Sequence, residues 1–219
     1  MERLTQRQVP KLCRLAEVKR VFGILSLNAR NVHIPCVMVT SARRGEGKTT
    51  TTALLAAAAA HQTGKRVLAV DLNWHQPALH SCFGLERSFE IDQFRHRLSI
   101  DDLVRPTGIA GLDLLPAPPP IEETHGASLD ALDLGLTVLE QARARYDWVF
   151  VDSNSINPPN HRMIDPVVVS QATTNVVLVV LAGLTPRQEI RRTLISLETA
   201  GANVAGTLVN QWRNPLYPT

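Results

Sequence analysis

Val37-Met38-Val39-Thr40-Ser41-Ala42-Arg43-Arg44-Gly45-Glu46-Gly47-Lys48-Thr49-Thr50 is the stretch that decides the fold. It opens on Ile34 to Thr40, a short β-branched run without polar alternation, the pattern of a strand buried on both faces. It closes on Thr49 to His61, an alanine-rich segment that favours a helix packed close to a sheet. Between them lie small and charged residues. A loop between a buried strand and a helix is where a phosphate chain can be held, because backbone N–H groups and the helix N-terminus face the same point. Gly45 and Gly47 tolerate the close approach. Lys48 would reach the β- and γ-phosphates, and the Thr49 hydroxyl would ligate Mg²⁺. Arg44, Gly45, Glu46, Gly47, Lys48, Thr49 and Thr50 are therefore the candidate nucleotide-binding residues. The G-x-x-x-x-G-K-[ST] pattern departs at one place, where Ala42 stands for the first glycine, and a turn that binds no anion is the alternative reading.

The rest of the chain has the composition of a folded protein. Its 219 residues are 44% hydrophobic and 20% charged, enough for one large domain. Ala53 to Ala60 and Val176 to Ala182, the longest apolar stretches, fall far short of the ~20 residues that span a bilayer. The N-terminus has no apolar signal core, so a cytoplasmic location is expected. Cys13, Cys36 and Cys82 show no metal-binding or disulfide spacing. The net charge of +3 is uneven: residues 2–30 carry +5 and the remainder −2. That segment is a candidate contact surface, or simply a solvated helix face.

Strands and helices alternate along the chain. Leu15, Val18, Phe22, Leu25 and Ala29 predict a helix over about 11–30. Val67 to Val70 is the next buried strand. Ser99 is placed to cap a short helix through Val104, and Leu112 to Leu115 reads as a strand ending in the loop of Pro116, Pro118, Pro119 and Pro120. Leu129 to Leu139 predicts a helix capped by Ser128, then come a strand over Trp148 to Val151 and a loop over Asn154 to Asn160. Val176 to Leu181 is a strand. Thr185-Pro186-Arg187-Gln188 reads as a capping box opening a helix with Ile190, Leu194 and Leu197 on one face and Gly201 at its C-terminal cap. Val204 to Val209 is the last strand. Parallel βαβ units follow, hence a three-layer α/β fold of the P-loop NTPase class with a mostly parallel central sheet. The expected organisation is a basic helical arm over 1–32, a nucleotide-binding domain over 33–212 and a short tail over 213–219.

Three further blocks accompany the loop: Lys65-Arg66-Val67-Leu68-Ala69-Val70-Asp71, Pro77-x-Leu79-His80-x-x-Phe83-Gly84-Leu85, and Tyr146-Asp147-Trp148-Val149-Phe150-Val151-Asp152. With Val204 to Asn210, they resemble the cytoplasmic tyrosine-autokinase domain of bacterial capsule and exopolysaccharide assembly, a branch of the ParA/MinD-like P-loop ATPases. The resemblance implies ATP and Mg²⁺ as cofactors. It implies that Asp71 holds the Mg²⁺ water shell and orients the attacking nucleophile, that Asp152 is its partner on the metal, and that Asn210 contacts the adenine edge. Asp71 and Asp152 both end buried parallel strands, where such sheets bind ligands; a strand-end cap is the structural alternative for each. Arg43 lies where the ParA/MinD branch carries a lysine that reaches across a dimer, so it is a candidate charge-stabilising finger or a solvent-facing loop residue. Implied partners are a membrane chain-length protein, which would place the chain peripherally at the inner membrane, and further copies of the chain; no specific nucleic acid is expected.

The chain also departs from the family pattern. Asn73 stands where a second carboxylate is usual, with Trp74, His75 and Gln76 replacing basic residues. Ser153-Asn154-Ser155 replaces Thr-Pro-Pro, and the tyrosine-rich tail is absent, leaving Tyr146 and Tyr217. Of the helical assembly element, Glu17 and Arg20 persist. These features favour a weak ATPase whose nucleotide state regulates a membrane partner. An active tyrosine autokinase and a ParA/MinD-type positioning ATPase are the alternatives.

Overall fold

A strand without a polar face must be covered by helices on both sides, and this requirement sets the architecture. The computed structural model describes residues 4–87, 99–118, 127–157 and 164–211. β1 (Cys36–Ser41) and β2 (Val67–Asp71) are buried along their whole length. Side chains leave them alternately to two cores. Val37, Val39, Val67 and Ala69 pack with Phe150 against the alanine face of α3 (Lys48–Thr63). Cys36, Met38, Leu68 and Val70 pack on the other side, with Leu139 and Ala142 of α6 (Ala127–Arg145).

The sheet has seven strands in the order β3-β4-β2-β5-β1-β6-β7. β4 (Leu112–Leu115), β5 (Trp148–Ser155), β6 (Asn175–Leu181) and β7 (Val204–Asn210) run parallel to β1 and β2, while β3 (Arg105–Pro106) is an antiparallel edge. The order brings the C-terminal ends of β1, β5 and β2 side by side. Short helices occupy three of the connections after α3: α4 (Leu79–Cys82), α5 (Ile100–Leu103) and α7 (Pro166–Gln171). No helix among the described residues is long and apolar enough to cross a membrane.

Several local expectations are corrected. The helix predicted over 11–30 is two helices, α1 (Val9–Leu12) and α2 (Ala16–Asn28), separated by an extended Leu15. Cys13 and Phe22 are nine residues apart, two and a half turns, and a continuous helix would point them in opposite directions. The break lets both enter the same core, with Leu4, Val9, Leu25 and Ala29. Glu17 and Arg20 stay exposed on α2. β5 continues through Asn154 and Ser155, which the sequence reading assigns to a loop. Polar side chains remain in the strand because they bond to neighbouring backbone: Ser153 Oγ donates to the Val39 carbonyl, and Asn154 Nδ2 to the Ile164 carbonyl. Trp148 packs between Phe22 and Phe150, with ring centroids 5.2 and 5.8 Å away.

The caps also differ from expectation. Ser99 precedes α5 as predicted, but its hydroxyl donates to Asp101 and makes no helix-cap bond. α6 begins at Ala127, so Ser128 lies within it. The capping box at Thr185 does not form. Pro186 is the N-cap of α8 (Arg187–Thr199), without a side-chain cap bond, and the Thr185 hydroxyl is engaged elsewhere. Gly201 does end α8. Its φ is +80°, its N–H bonds the Glu198 carbonyl and the Ala202 N–H bonds that of Leu197. Pro119 and Pro120, the last part of the 154–160 loop, and the 213–219 tail with Tyr217 lie outside the described residues.

Candidate nucleotide site

The loop between β1 and α3 turns on Gly45 and Gly47, whose φ values of +85° and +98° are conformations that L side chains rarely adopt. Gly47 caps α3, and a Cβ there would lie 2.4 Å from the Asn210 side chain. Lys48, the first residue of α3, is buried. Its Nζ donates to Ser41 Oγ at 3.1 Å, and burial pulls its pKa below the ordinary lysine value against the attraction of Asp152 and Glu46. A buried ammonium at the mouth of a glycine-shaped loop is matched to an anion.

Register aligns the two strand-end carboxylates. Asp71 and Asp152 are direct neighbours across β2 and β5, with side-chain-bearing residues 1% and 0% exposed. Thr49 Oγ1 donates to Asp152 Oδ2 at 2.6 Å, while Asp152 Oδ1 is buried with no hydrogen-bond partner among the described residues. Both oxygens of Asp71 are engaged. Its Oδ1 accepts the Asn73 N–H at 3.0 Å, and its Oδ2 accepts those of Ala78 and Leu79 at 3.2 and 3.1 Å. Burial pushes Asp152 up to about 6, although the Thr49 hydroxyl and Lys48 oppose the rise. Burial and the neighbouring Asp152 raise Asp71 well above the usual carboxylate range, against the three backbone donors.

An unpartnered buried carboxylate oxygen beside a threonine hydroxyl, at the edge of a loop that turns on two glycines, fits a magnesium ion. Such an ion takes few protein ligands and completes its shell with phosphate oxygens and water. Thr49 and Asp152 would hold it, directly or through water, with Asp71 adjacent.

Other predicted residues have defined places. Arg43 forms a two-pronged ion pair with Glu189 in the first turn of α8, while Arg44 is exposed. Asn210 Nδ2 donates to the Glu46 carbonyl at 3.0 Å, so its amide anchors the loop and leaves Oδ1 for another partner. Asn73 turns its Nδ2 to the Gln76 carbonyl. Trp74 Nε1 donates to the Asp71 carbonyl at 2.9 Å. Sequence reasoning misses Ser41, Thr185 and Glu189. Ser41 carried no signal beyond its place in the motif, and Thr185 fits a helix-cap pattern that concealed its contact with Glu46.

Comparison with known proteins defines the class. The CobQ/CobB/MinD/ParA nucleotide binding domain matches residues 37–218. The chain is 30% identical over 178 residues to the tyrosine-protein kinase YwqD of Bacillus subtilis, spanning 80% of this chain and 71% of YwqD. The kinase domain of the Escherichia coli tyrosine kinase ETK superposes with a TM-score of 0.74 at 22% identity, covering 93% of this chain and 78% of that one. The septum site-determining protein MinD of Pyrococcus horikoshii, complexed with Mg-ADP, superposes with a TM-score of 0.67 at 20% identity, covering 82% and 71%. The fold is that of a P-loop NTPase. The chain belongs to the CobQ/CobB/MinD/ParA nucleotide-binding family and, within it, to the branch of the bacterial tyrosine-protein kinases.

The raised Asp152 pKa has a measurable consequence in nucleotide-free protein. Between about pH 4 and pH 6 the unfolded chain has released this proton and the folded one still holds it, so the contribution of Asp152 to stability falls as pH rises through that window and levels off above it. Asp152→Asn should remove this part of the slope and stabilise the protein at pH 7 on the order of 1 kcal/mol, read by urea denaturation across pH.

Proposed function

We propose that this chain is an ATP-binding P-loop protein of exopolysaccharide or capsule assembly, a weak ATPase whose nucleotide state regulates a membrane chain-length partner. The observation that carries the reading is the buried pair of Lys48 and Asp152 bridged by the half-buried Thr49, with one Asp152 oxygen left open beside the loop. Gly45, Glu46, Gly47, Lys48, Thr49 and Thr50 would contribute backbone donors, the charge of Lys48 and the Thr49 hydroxyl. Mg²⁺ bound there would neutralise phosphate charge. The polysaccharide role and the membrane partner come from the resemblance to the tyrosine-kinase branch, as does association with further copies of the chain.

Turnover would be slow for two reasons. Asp71 already accepts three backbone N–H bonds, which leaves little of its carboxylate's acceptor capacity for a nucleophile. Arg43 can serve as a finger only after leaving Glu189. Asn210 Oδ1 is free to take the adenine amino group.

The autokinase alternative needs a tyrosine that reaches a neighbouring site. The Tyr146 hydroxyl donates to Asp113 at 2.9 Å, and burial together with that carboxylate raises its pKa. It is therefore a poor acceptor. Asn73, committed to Gln76, supplies no second carboxylate.

Lys48→Ala should weaken Mg-ATP binding at least tenfold, or ~1.4 kcal/mol, by calorimetry on the folded variant. Unchanged affinity would remove the site. After incubation with Mg-ATP, mass spectrometry should find no phosphate on Tyr146 and at most a trace at Tyr217. Abundant phosphotyrosine that disappears in Lys48→Ala would restore the kinase reading.

A further inference from the structure

We infer that Thr185 is a positioning residue for the phosphate loop, acting through Glu46; this rests on the nucleotide site proposed above. Glu46 is the single residue between the two glycines that give the loop its shape. Its neighbours have no side chains with which to fix their peptides, so the Glu46 side chain is the loop's own handle. That side chain is 3% exposed and both of its oxygens are used. Oε2 accepts the Arg43 N–H at 2.8 Å, closing the loop on itself, and Oε1 accepts the Thr185 hydroxyl.

Thr185 is itself held rigidly. Its Oγ1 accepts the Leu181 N–H at 2.8 Å, and its own N–H donates to the Leu181 carbonyl at 3.0 Å. A continuous chain of hydrogen bonds thus runs from the end of β6 through Thr185 and Glu46 to the Arg43 peptide. The Asn210 amide on the Glu46 carbonyl supports the same residue from the end of β7. One turn further along α8, Glu189 grips the Arg43 side chain, so the loop is fastened to this corner at two points.

The hydroxyl serves the loop and not the helix, because α8 starts at Arg187 without any side-chain cap. Without its donor, Glu46 Oε1 would be a buried carboxylate oxygen left unsatisfied, and the cheapest remedy is for the loop to turn Glu46 towards water. The backbone of residues 45–47, whose turn rests on Gly45 and Gly47, would then shift. Binding of a phosphate chain depends on the path of that backbone, whereas the sheet and its two cores do not.

The test is calorimetry with Mg-ATP on the full chain, comparing wild type, Thr185→Val and Thr185→Ser, with circular dichroism and melting curves alongside. Thr185→Val keeps the shape and removes the hydroxyl; it should lose about tenfold in affinity at a temperature where its fold is intact, while Thr185→Ser stays within about twofold of wild type. Wild-type affinity in Thr185→Val, or equal impairment in both variants, would overturn the inference and leave the nucleotide site standing. Wild-type protein that fails to bind Mg-ATP would overturn both. If Thr185→Val does not fold, Glu46→Gln takes its place. A glutamine keeps one acceptor oxygen for two donors, so affinity should fall, and unchanged affinity would count against the inference.

Discussion

Two carboxylates at the ends of adjacent parallel strands, both removed from water, are the constraint around which this structure is arranged. Asp71 and Asp152 repel each other and pay for burial, and the surrounding chain is organised to offset that cost. Residues 73–79 fold back over β2 so that three of their N–H groups meet Asp71. Lys48 and Thr49 approach Asp152 from the first turn of α3. That approach requires β5 to lie between β1 and β2, which is the observed order. The cost is only partly met, since one Asp152 oxygen has no partner among the described residues. A site left electrostatically incomplete in this way is suited to a cation and the anionic group that accompanies it.

The loop is held from the opposite side by a separate set of contacts. Glu46 and Arg43 reach Thr185 and Glu189 at the β6–α8 corner, and Asn210 reaches back from β7. The acidic strands and the bracing corner thus lie on opposite sides of one short loop. Movement at either side would reach the loop, through Thr49 and Lys48 on one side and through Glu46 and Arg43 on the other.

Much of this was legible in the sequence because strong local rules applied. The runs in β1, β2 and β6 lack polar alternation, so burial on both faces and a parallel sheet follow, and the loop chemistry from Gly45 to Thr49 is local by nature. What could not be read depended on distant partners. Asn154 and Ser155 look like loop residues until their strand neighbours supply bonds. The break before α2 reflects a shared core for Cys13 and Phe22, which helical periodicity alone cannot show. Thr185 satisfied a local helix-cap rule, but its partner lies 139 residues away in sequence. The side-chain partners of Arg43 and Asn210 were invisible for the same reason.

Proton release on binding tests the central claim most directly. If burial keeps the Asp71–Asp152 pair partly protonated, binding of Mg-nucleotide near pH 6 must expel protons. Calorimetric titration in two buffers of different ionisation enthalpy measures that number. The account predicts net proton release near pH 6 that is reduced in Asp152→Asn. Binding without proton release at pH 6 would contradict it.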